Sequence, residues 1–301
     1  RTSPWPIDPN VIMDALPIAP FEPDVREPAP QRTSGALEVV FRRRGGATVV
    51  ERLFQEGAAK ARLPRERGRG LIGVTLINLA GGLTGGDVFR QRLEWRDGAR
   101  AAATTQAAEK IYRAAAGEVR IRTELTVGPA SWAEWLPQET ILFEGAALDR
   151  RLTVELEGDG RMLLVEPLVF GRLAMGERLR HAKLVDRLEV HVDGRRVWLD
   201  VNRLAPPVEA LLDRPALGAG ARAMATVLYV AADAGDRLAT LRAIVDAAPV
   251  TAGVSRLGPV AVARLVAAEP AALRAAVVTV LQRARAELGG WPPRLPRAWH
   301  I

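Results

Sequence analysis

The sequence has no cysteine among its 301 residues and only three histidines. Without cysteine the chain can form no disulfide bond and can offer neither a thiol nucleophile nor a thiolate metal ligand. His181, His191 and His300 form no H-x-H or H-E-x-x-H pair, so we expect no resident zinc or nickel site built on imidazole. Such a chain fits a reducing compartment, and we expect a cytoplasmic protein.

Aromatic residues are also scarce, at 5% of a chain that is otherwise basic. Its 42 lysines and arginines against 35 acidic residues give a net charge of +7, which would attract an acidic partner or a polyanion. The basic residues concentrate at 42–44, 62–69 and 177–187. A β-rich nucleic-acid-binding module is therefore the alternative function. Because such a module needs stacking aromatics along a basic face, we expect no nucleic-acid partner.

Long apolar runs are missing too. The most apolar segment, residues 259–281, contains Arg264, Glu269 and Arg274. Charges at these positions are incompatible with a clean membrane span. We expect no membrane association.

The usual motifs for phosphate binding and nucleophilic catalysis are absent. The glycine-rich segment NLAGGLTGGD, residues 78–87, has Asp87 and Val88 where a Walker loop needs lysine and then serine or threonine. Residues 68–73, GRGLIG, match the dinucleotide-binding spacing but lead into a strand pattern instead of a helix. No serine lies in a G-x-S-x-G elbow. We expect no catalytic residue and no enzyme; a hydrolase with paired carboxylates is a third reading, although no pattern places two acids at one pocket.

What the sequence does contain is a repeated strand pattern. Residues 93–105, 125–137, 152–166 and 188–200 each read as strand, glycine turn, strand, and glycine suits tight turns because it adopts positive φ at little cost. The spacing predicts stacked antiparallel hairpins that form an extended two-layer β structure. Apolar residues at helical spacing predict two α-helices near the C-terminus, at about 236–248 and 270–288. The expected fold is mainly β.

Proline marks a boundary near the start of the chain. Residues 1–34 contain eight prolines and little periodic pattern, which disfavours both helix and sheet. We predict a mobile tail over residues 1–34 and a single β-rich domain over residues 35–301.

Three segments together resemble one protein family. NLAGGLTGGD (78–87), TTQAAEKIYR (104–113) and EWLPQETILFEGA (134–146) occur in this order, and residues 166–177, 257–267 and 295–301 extend the agreement. These segments resemble the family of the urease accessory protein UreD, called UreH in some bacteria. Leu79 departs from the family, which more often has a small polar residue there. The motif residues are Gly81, Gly82, Gly85, Gly86, Asp87, Thr104, Thr105, Gln106, Tyr112, Arg113, Trp135, Pro137, Gln138 and Glu139.

The resemblance implies a largely β, non-enzymatic metallochaperone scaffold. Proteins of this family work with the helical accessory protein UreF and the nickel-carrying GTPase UreG, which dock together on apo-urease and insert nickel. We therefore expect UreF, UreG and apo-urease as partners. GTP would bind only to the partner GTPase, and this chain would hold no permanent cofactor.

A protein that passes nickel on must hold the ion weakly, and oxygen ligands bind nickel less tightly than imidazole or thiolate. We expect transient nickel, without a fixed site, in a polar passage. The candidate passage residues are Asp87, Glu109, Glu139 and Glu166. The tail over 1–34 is expected to become ordered on assembly. The residues expected to contact partners are Trp132, Trp135, Leu281 and Leu288.

Overall fold

The computed structural model describes residues 32–63 and 71–300. The predicted tail over 1–34 lies outside the described residues except for its last three, of which Ser34 begins the first strand. The described strands, numbered along the chain, are β1 (Ser34–Arg44), β2 (Ala47–Gly57), β3 (Ala59–Arg62), β4 (Ile72–Asn78), β5 (Val88–Arg96), β6 (Arg100–Thr105), β7 (Glu109–Ile111), β8 (Val119–Val127), β9 (Trp132–Leu136), β10 (Thr140–Leu142), β11 (Ala147–Leu156), β12 (Arg161–Phe170), β13 (Lys183–Val192), β14 (Arg195–Leu204), β15 (Ala223–Val230), β16 (Thr251–Leu257) and β17 (Val260–Ala267). The α-helices are α1 (Val208–Leu212), α2 (Leu238–Asp246) and α3 (Pro270–Gly289), and short 3-10 helices cover Leu173–Met175, Ala232–Ala234 and Arg297–His300.

The strands form two sheets. The first has the order β14-β13-β11-β8-β5-β1-β2, and the second has the main order β16-β17-β15-β12-β9-β6-β4-β3, with β10 pairing β12 and β7. In β8 and β11 buried residues alternate with more exposed ones, because one face of the first sheet meets solvent. In β9 and β12 nearly every residue is buried, because helices cover the outer face of the second sheet.

The middle of the chain winds between the sheets as a β-solenoid. Strands β5, β8 and β11 of the first sheet are followed by β6, β9 and β12 of the second, and each strand pairs in parallel with its counterpart one circuit, or rung, later. The chain crosses to the second sheet through short turns, which we call the short-turn edge: residues 97–99, 128–131 and 157–160. It returns through longer segments, which we call the motif edge: residues 79–87, 106–118, 137–146 and 171–182.

The prediction of a mainly β, two-layer structure is confirmed, and both C-terminal helices lie where the periodicity placed them. The pairing inside the repeat differs from the predicted antiparallel hairpins. The segments 93–105, 125–137 and 152–166 each cross from one sheet to the other, and only 188–200 belongs to an antiparallel pair, β13 with β14. Crossing is favoured because the strands on both sides of each turn carry apolar side chains, which the crossing buries between the sheets.

The structure has two apolar cores. The inter-sheet core includes Phe41 and Trp95, whose ring centroids are 5.4 Å apart. The second core lies between the second sheet and the helices and includes Trp132 and Leu281. Within the described part of the chain, no helix combines the length and the apolar character needed to cross a membrane.

Candidate functional site

The three segments that carry the family resemblance lie one above another on the motif edge. Backbone hydrogen bonds join successive rungs: the N–H of Leu83 donates to the carbonyl of Lys110 at 2.8 Å, and that of Glu109 donates to the carbonyl of Glu139 at 2.8 Å. The N–H of Gly171 continues the ladder to the carbonyl of Leu142 at 2.9 Å. Segments that are separate in the sequence thus form one surface.

Glycines let the first of these segments approach the second closely. A β-carbon at Gly82 would overlap the ring of Tyr112, and one at Gly85 would overlap the carbonyl oxygen of Ala116. Beside them, the buried carboxylate of Asp87 accepts N–H groups from Thr33 at 2.7 Å and Thr84 at 2.8 Å. A phosphate-binding loop turns such backbone N–H groups toward its ligand. Here the carboxylate of Asp87 accepts them instead.

A cavity of about 180 Å³ opens at the motif edge and extends between the sheets. Its polar lining includes Glu109, Asn78, Gln91 and Thr105 together with two lysines, Lys60 and Lys110. The side-chain amide of Asn78 donates to both carboxylate oxygens of Glu109, at 3.0 and 3.2 Å. Burial raises the pKa of Glu109 to about 7, although the Asn78 hydrogen bond acts in the opposite direction. Of the four candidate passage residues, Glu109 is the one that lines this cavity.

Glu166 lies in a buried ionic cluster between the sheets. Its Oε2 is 2.6 Å from Nη1 of Arg150, and its Oε1 accepts the indole N–H of Trp135 at 2.7 Å. Arg150 also donates to Asp186 at 2.7 and 2.8 Å and to the hydroxyl of Thr140 at 3.1 Å. Burial raises the pKa of Glu166, and the charge of Arg150 opposes that effect. Both carboxylate oxygens of Glu166 therefore contact other residues of the interior.

Glu139 faces the C-terminal helix instead of the inter-sheet space. Nη1 of Arg274 in α3 donates to both of its carboxylate oxygens at 2.8 Å, and Nη2 donates to Gln138 at 3.1 Å. Gln138 in turn donates to the carbonyl of Ala298 at 3.0 Å. The pair Gln138 and Glu139 therefore attaches α3 and the C-terminal segment to the motif edge. The structure places Asp87 and Glu139 in anchoring roles, and their part in a metal passage stays a prediction.

The threonines of the second motif also connect rungs. The hydroxyl of Thr104 donates to the carbonyl of Leu136 at 2.7 Å, and that of Thr105 accepts the N–H of Gln138 at 2.9 Å. Gln106 is exposed beside them and lines the Glu109 cavity. Other motif residues, Tyr112 and Arg113, are exposed on the outside of the edge.

The residues expected to contact partners are buried within the chain itself. Trp132, Leu281 and Leu288 form part of the core between the second sheet and α3, and Trp135 belongs to the inter-sheet core. An apolar residue of a C-terminal helix serves a partner only if the chain's own sheet does not cover it. Here the second sheet covers Leu281 and Leu288, while Trp132 and Trp135 lie in strand β9 of that sheet, and the structure gives all four a packing role.

Several polar residues of the site escaped the sequence-based reasoning. Arg150 is the clearest, because it shares the apolar alternation of its strand with Leu148 and Leu152, and a charge in that phase signals a buried ionic partner. Asp186 gives the same signal, because it alternates with Leu184 and Leu188 in β13. Asn78 and Arg274 gave no comparable signal, since their partners lie far away in the sequence. Among residues 32–63 and 71–300, no three histidine or acidic side chains lie close enough to hold a metal ion.

Comparison with known proteins finds similarity to urease accessory proteins named UreD. The family model described as UreD urease accessory protein matches residues 33–300. A urease accessory protein UreD of Brucella suis is 44% identical over 275 residues, which span 90% of this chain and 95% of the relative. The corresponding protein of Ruegeria pomeroyi is 40% identical over 267 residues, spanning 88% of this chain and the whole relative. A third, from Chelativorans sp., is 42% identical over 279 residues, or 91% of this chain and 96% of the relative.

Proposed function

Because this chain belongs to the UreD family of urease accessory proteins, we propose that it is a non-enzymatic scaffold for nickel insertion into apo-urease. In this proposal the chain acts in a complex with UreF and UreG. GTP is bound by UreG alone, and nickel crosses this chain without a permanent site. The observation that carries the proposal is the cavity at Glu109.

The chemistry of Glu109 suits an ion in transit. Its carboxylate and the amide and hydroxyl oxygens around it are weak ligands for nickel. With a pKa of about 7, Glu109 exchanges a proton near neutral pH, so that binding of a cation releases a proton and rebinding of the proton favours departure of the cation. In the interior between the sheets, Glu166 and Asp186 supply two carboxyl groups against the single guanidinium of Arg150. We propose that the polar interior beyond the cavity takes part in the transfer.

Two observations support a scaffold over an enzyme. The acids that converge in the interior, Glu166 and Asp186, are both bonded to Arg150, and neither lines the cavity at Glu109, so they do not face that cavity as the acid pair of a hydrolase would. Asp87 binds the backbone N–H of Thr84 in the glycine loop and that of Thr33, which favours GTP binding on a partner.

The basic clusters do not favour the nucleic-acid alternative. Arg42 lies 2.7 Å from both Glu51 and Asp97, and Arg178 lies 2.9 Å from Glu209. Most of the cluster at 62–69 lies outside the described residues. Charges paired in this way attract phosphate less than an open basic face does.

The test replaces Glu109 with glutamine, which keeps the shape and the hydrogen bond from Asn78 but removes the charge. We expect Glu109→Gln to reduce GTP- and nickel-dependent activation of apo-urease in the reconstituted complex by about tenfold or more, the size of effect seen when groups around a metal are altered. Glu118→Gln is the matched control, because Glu118 is a partly exposed acid of the same edge. Equal activation by both variants and the wild type would contradict a role for the cavity.

The pH dependence of stability distinguishes a loss of activation from a loss of the fold. Glu109 in the folded protein binds a proton up to about pH 7, whereas in the unfolded chain it does so only up to about its ordinary value of 4.5. The wild type therefore loses stability as pH rises through this window, by at most about 3 kcal/mol. Glu109→Gln should lack this loss and be the more stable protein at pH 8 in urea unfolding. A variant that is more stable but activates less has lost function without losing its fold.

A further inference from the structure

Exposed apolar side chains form a stripe along the motif edge. Leu79, Tyr112 and Met175 come from three different rungs and are 63%, 38% and 75% exposed. Between them, the rings of Tyr112 and Phe143 meet edge to face with centroids 5.0 Å apart, and the guanidinium of Arg172 covers the Phe143 ring at 4.1 Å. Side chains of three successive segments thus touch one another, and Leu79 and Met175 are exposed in the first and last segments of the same edge. Exposed apolar side chains gathered on one edge in this way mark an interaction site.

The backbone under the stripe is held in place by carboxylates. Glu177 accepts the N–H of Glu144 at 2.7 Å, and Glu144 accepts the N–H groups of Arg180 at 2.6 Å and His181 at 3.1 Å. The segments 137–146 and 171–182 of the motif edge therefore fix each other's backbone. A surface that is fixed in advance loses little conformational entropy when a partner binds.

These contacts also leave the edge positively charged. The acids just named point inward, and their side chains are only 23% and 13% exposed. Glu118, whose side chain is 42% exposed, lies beside Arg120. Arg172 and Arg178 are paired with Glu177 and Glu209. Among the described residues no ion pair involves the other exposed cations of the edge, which are Lys110, Arg113 and Arg180.

We infer that the motif edge is a docking surface for a protein whose contact face carries an apolar ridge bordered by carboxylates. This inference rests on the proposed function, since it locates one of the scaffold's partner contacts. A protein fits better than a nucleic acid because Tyr112 and Phe143 pack against each other and Arg172 covers Phe143, which leaves the rings poorly placed to stack on bases. Leu79 and Met175 are flexible apolar side chains suited to a protein ridge.

The test uses the full chain with Leu79→Asp and Met175→Asp combined. Its matched control combines Leu217→Asp and Leu257→Asp, two exposed leucines outside the motif edge. We would measure dissociation constants for UreF, for UreG and for apo-urease from the same organism, together with the unfolding temperature. The motif-edge variant should bind one of these proteins at least tenfold more weakly, while the control binds like the wild type and both unfold at similar temperatures.

A second variant tests the charge. Lys110→Glu combined with Arg180→Glu should weaken binding of the same partner at low salt, and the difference from the wild type should shrink as salt is added. If the wild type binds a partner and all variants bind it equally, the docking inference is overturned while the proposed function stands. If the wild type binds none of the three proteins, both the proposed function and the docking inference are wrong. Binding of a DNA duplex that only the motif-edge variants lose would overturn the assignment to a protein.

Discussion

The short-turn edge and the motif edge both carry the chain between the two sheets, but they use different lengths of chain and different side chains. On the short-turn edge, the carboxylate of Asp159 accepts the N–H of Ala130 at 2.7 Å, and that of Asp193 accepts the N–H of Gly158 at 2.9 Å. On the motif edge, Glu144 and Glu177 serve neighbouring rungs in the same way. On each edge, an acid of one rung therefore caps the backbone of its neighbour.

The difference lies in what the extra length adds. The motif edge contains two short strands, β7 and β10, an inward cavity at Glu109 and a contact to the C-terminal helix through Glu139. It also carries the exposed apolar stripe. The short turns have no room for such features, because each spans only a few residues. The solenoid closes each rung at the short-turn edge, and it carries the cavity, the helix contact and the apolar stripe on the motif edge.

The largest loss of stability is expected when the segments of the motif edge can no longer stack on one another. A β-carbon at Gly85 would lie 2.8 Å from that of Ala114 and 2.9 Å from the carbonyl oxygen of Gly117, whereas one at Gly194, in the β13–β14 turn, would meet nothing within 4 Å. We expect Gly85→Ala to cost about 2–4 kcal/mol, because backbone must move. Gly194→Ala should cost about 1 kcal/mol, since its φ of 74° strains any other residue.

Urea unfolding of both variants checks this expectation. If Gly85→Ala and Gly194→Ala destabilise the protein equally, then the close approach at Gly85 contributes nothing and the motif edge is no more tightly stacked than an ordinary turn. A loss of partner binding by Gly85→Ala alone would connect the stacking to the docking surface.

A smaller effect is expected where the motif edge meets α3. Arg274→Met removes the hydrogen bonds to Gln138 and Glu139 and leaves the Glu139 carboxylate, only 13% exposed, without its cation. The cost should be about 1.5–3 kcal/mol, as for other hydrogen bonds to charged groups. Arg283→Met is the control in the same helix, where an exposed pair with Glu287 contributes less than about 0.5 kcal/mol. Thermal unfolding of the two variants would contradict the anchoring role if their midpoints coincided.

The short-turn edge was the easier of the two to predict from sequence. Asp97-Gly98 and Gly158-Asp159-Gly160 mark tight turns by their own chemistry, and the turns lie at these residues. The strand that follows each turn was assigned to the wrong neighbour, because a tight turn looks the same in sequence whether the next strand pairs or crosses. That choice depends on which apolar faces meet across the molecule.

The motif edge was located by resemblance, and its chemistry depends on distant residues. The state of Glu109 depends on Asn78, 31 residues earlier, and Gln138 meets Ala298 across 160 residues. Local patterns contain no information about such pairs. Arg150 and Asp186 are exceptions, because each lies in the apolar alternation of its own strand, which indicates an inward charge.

The smallest loss of stability is expected for a substitution on the short-turn edge. Asp159→Ala removes one acceptor from an exposed backbone N–H of the short-turn edge, where water can replace it. We expect a loss of about 0.5–1 kcal/mol in urea unfolding and no change in partner binding or in urease activation. Since Asp159 has the same capping role as Glu144, an unchanged activity would show that capping alone does not make an edge functional. A loss of partner binding in a stably folded Asp159→Ala protein would instead show that the partners contact both edges. The two edges would then not have the different roles described above.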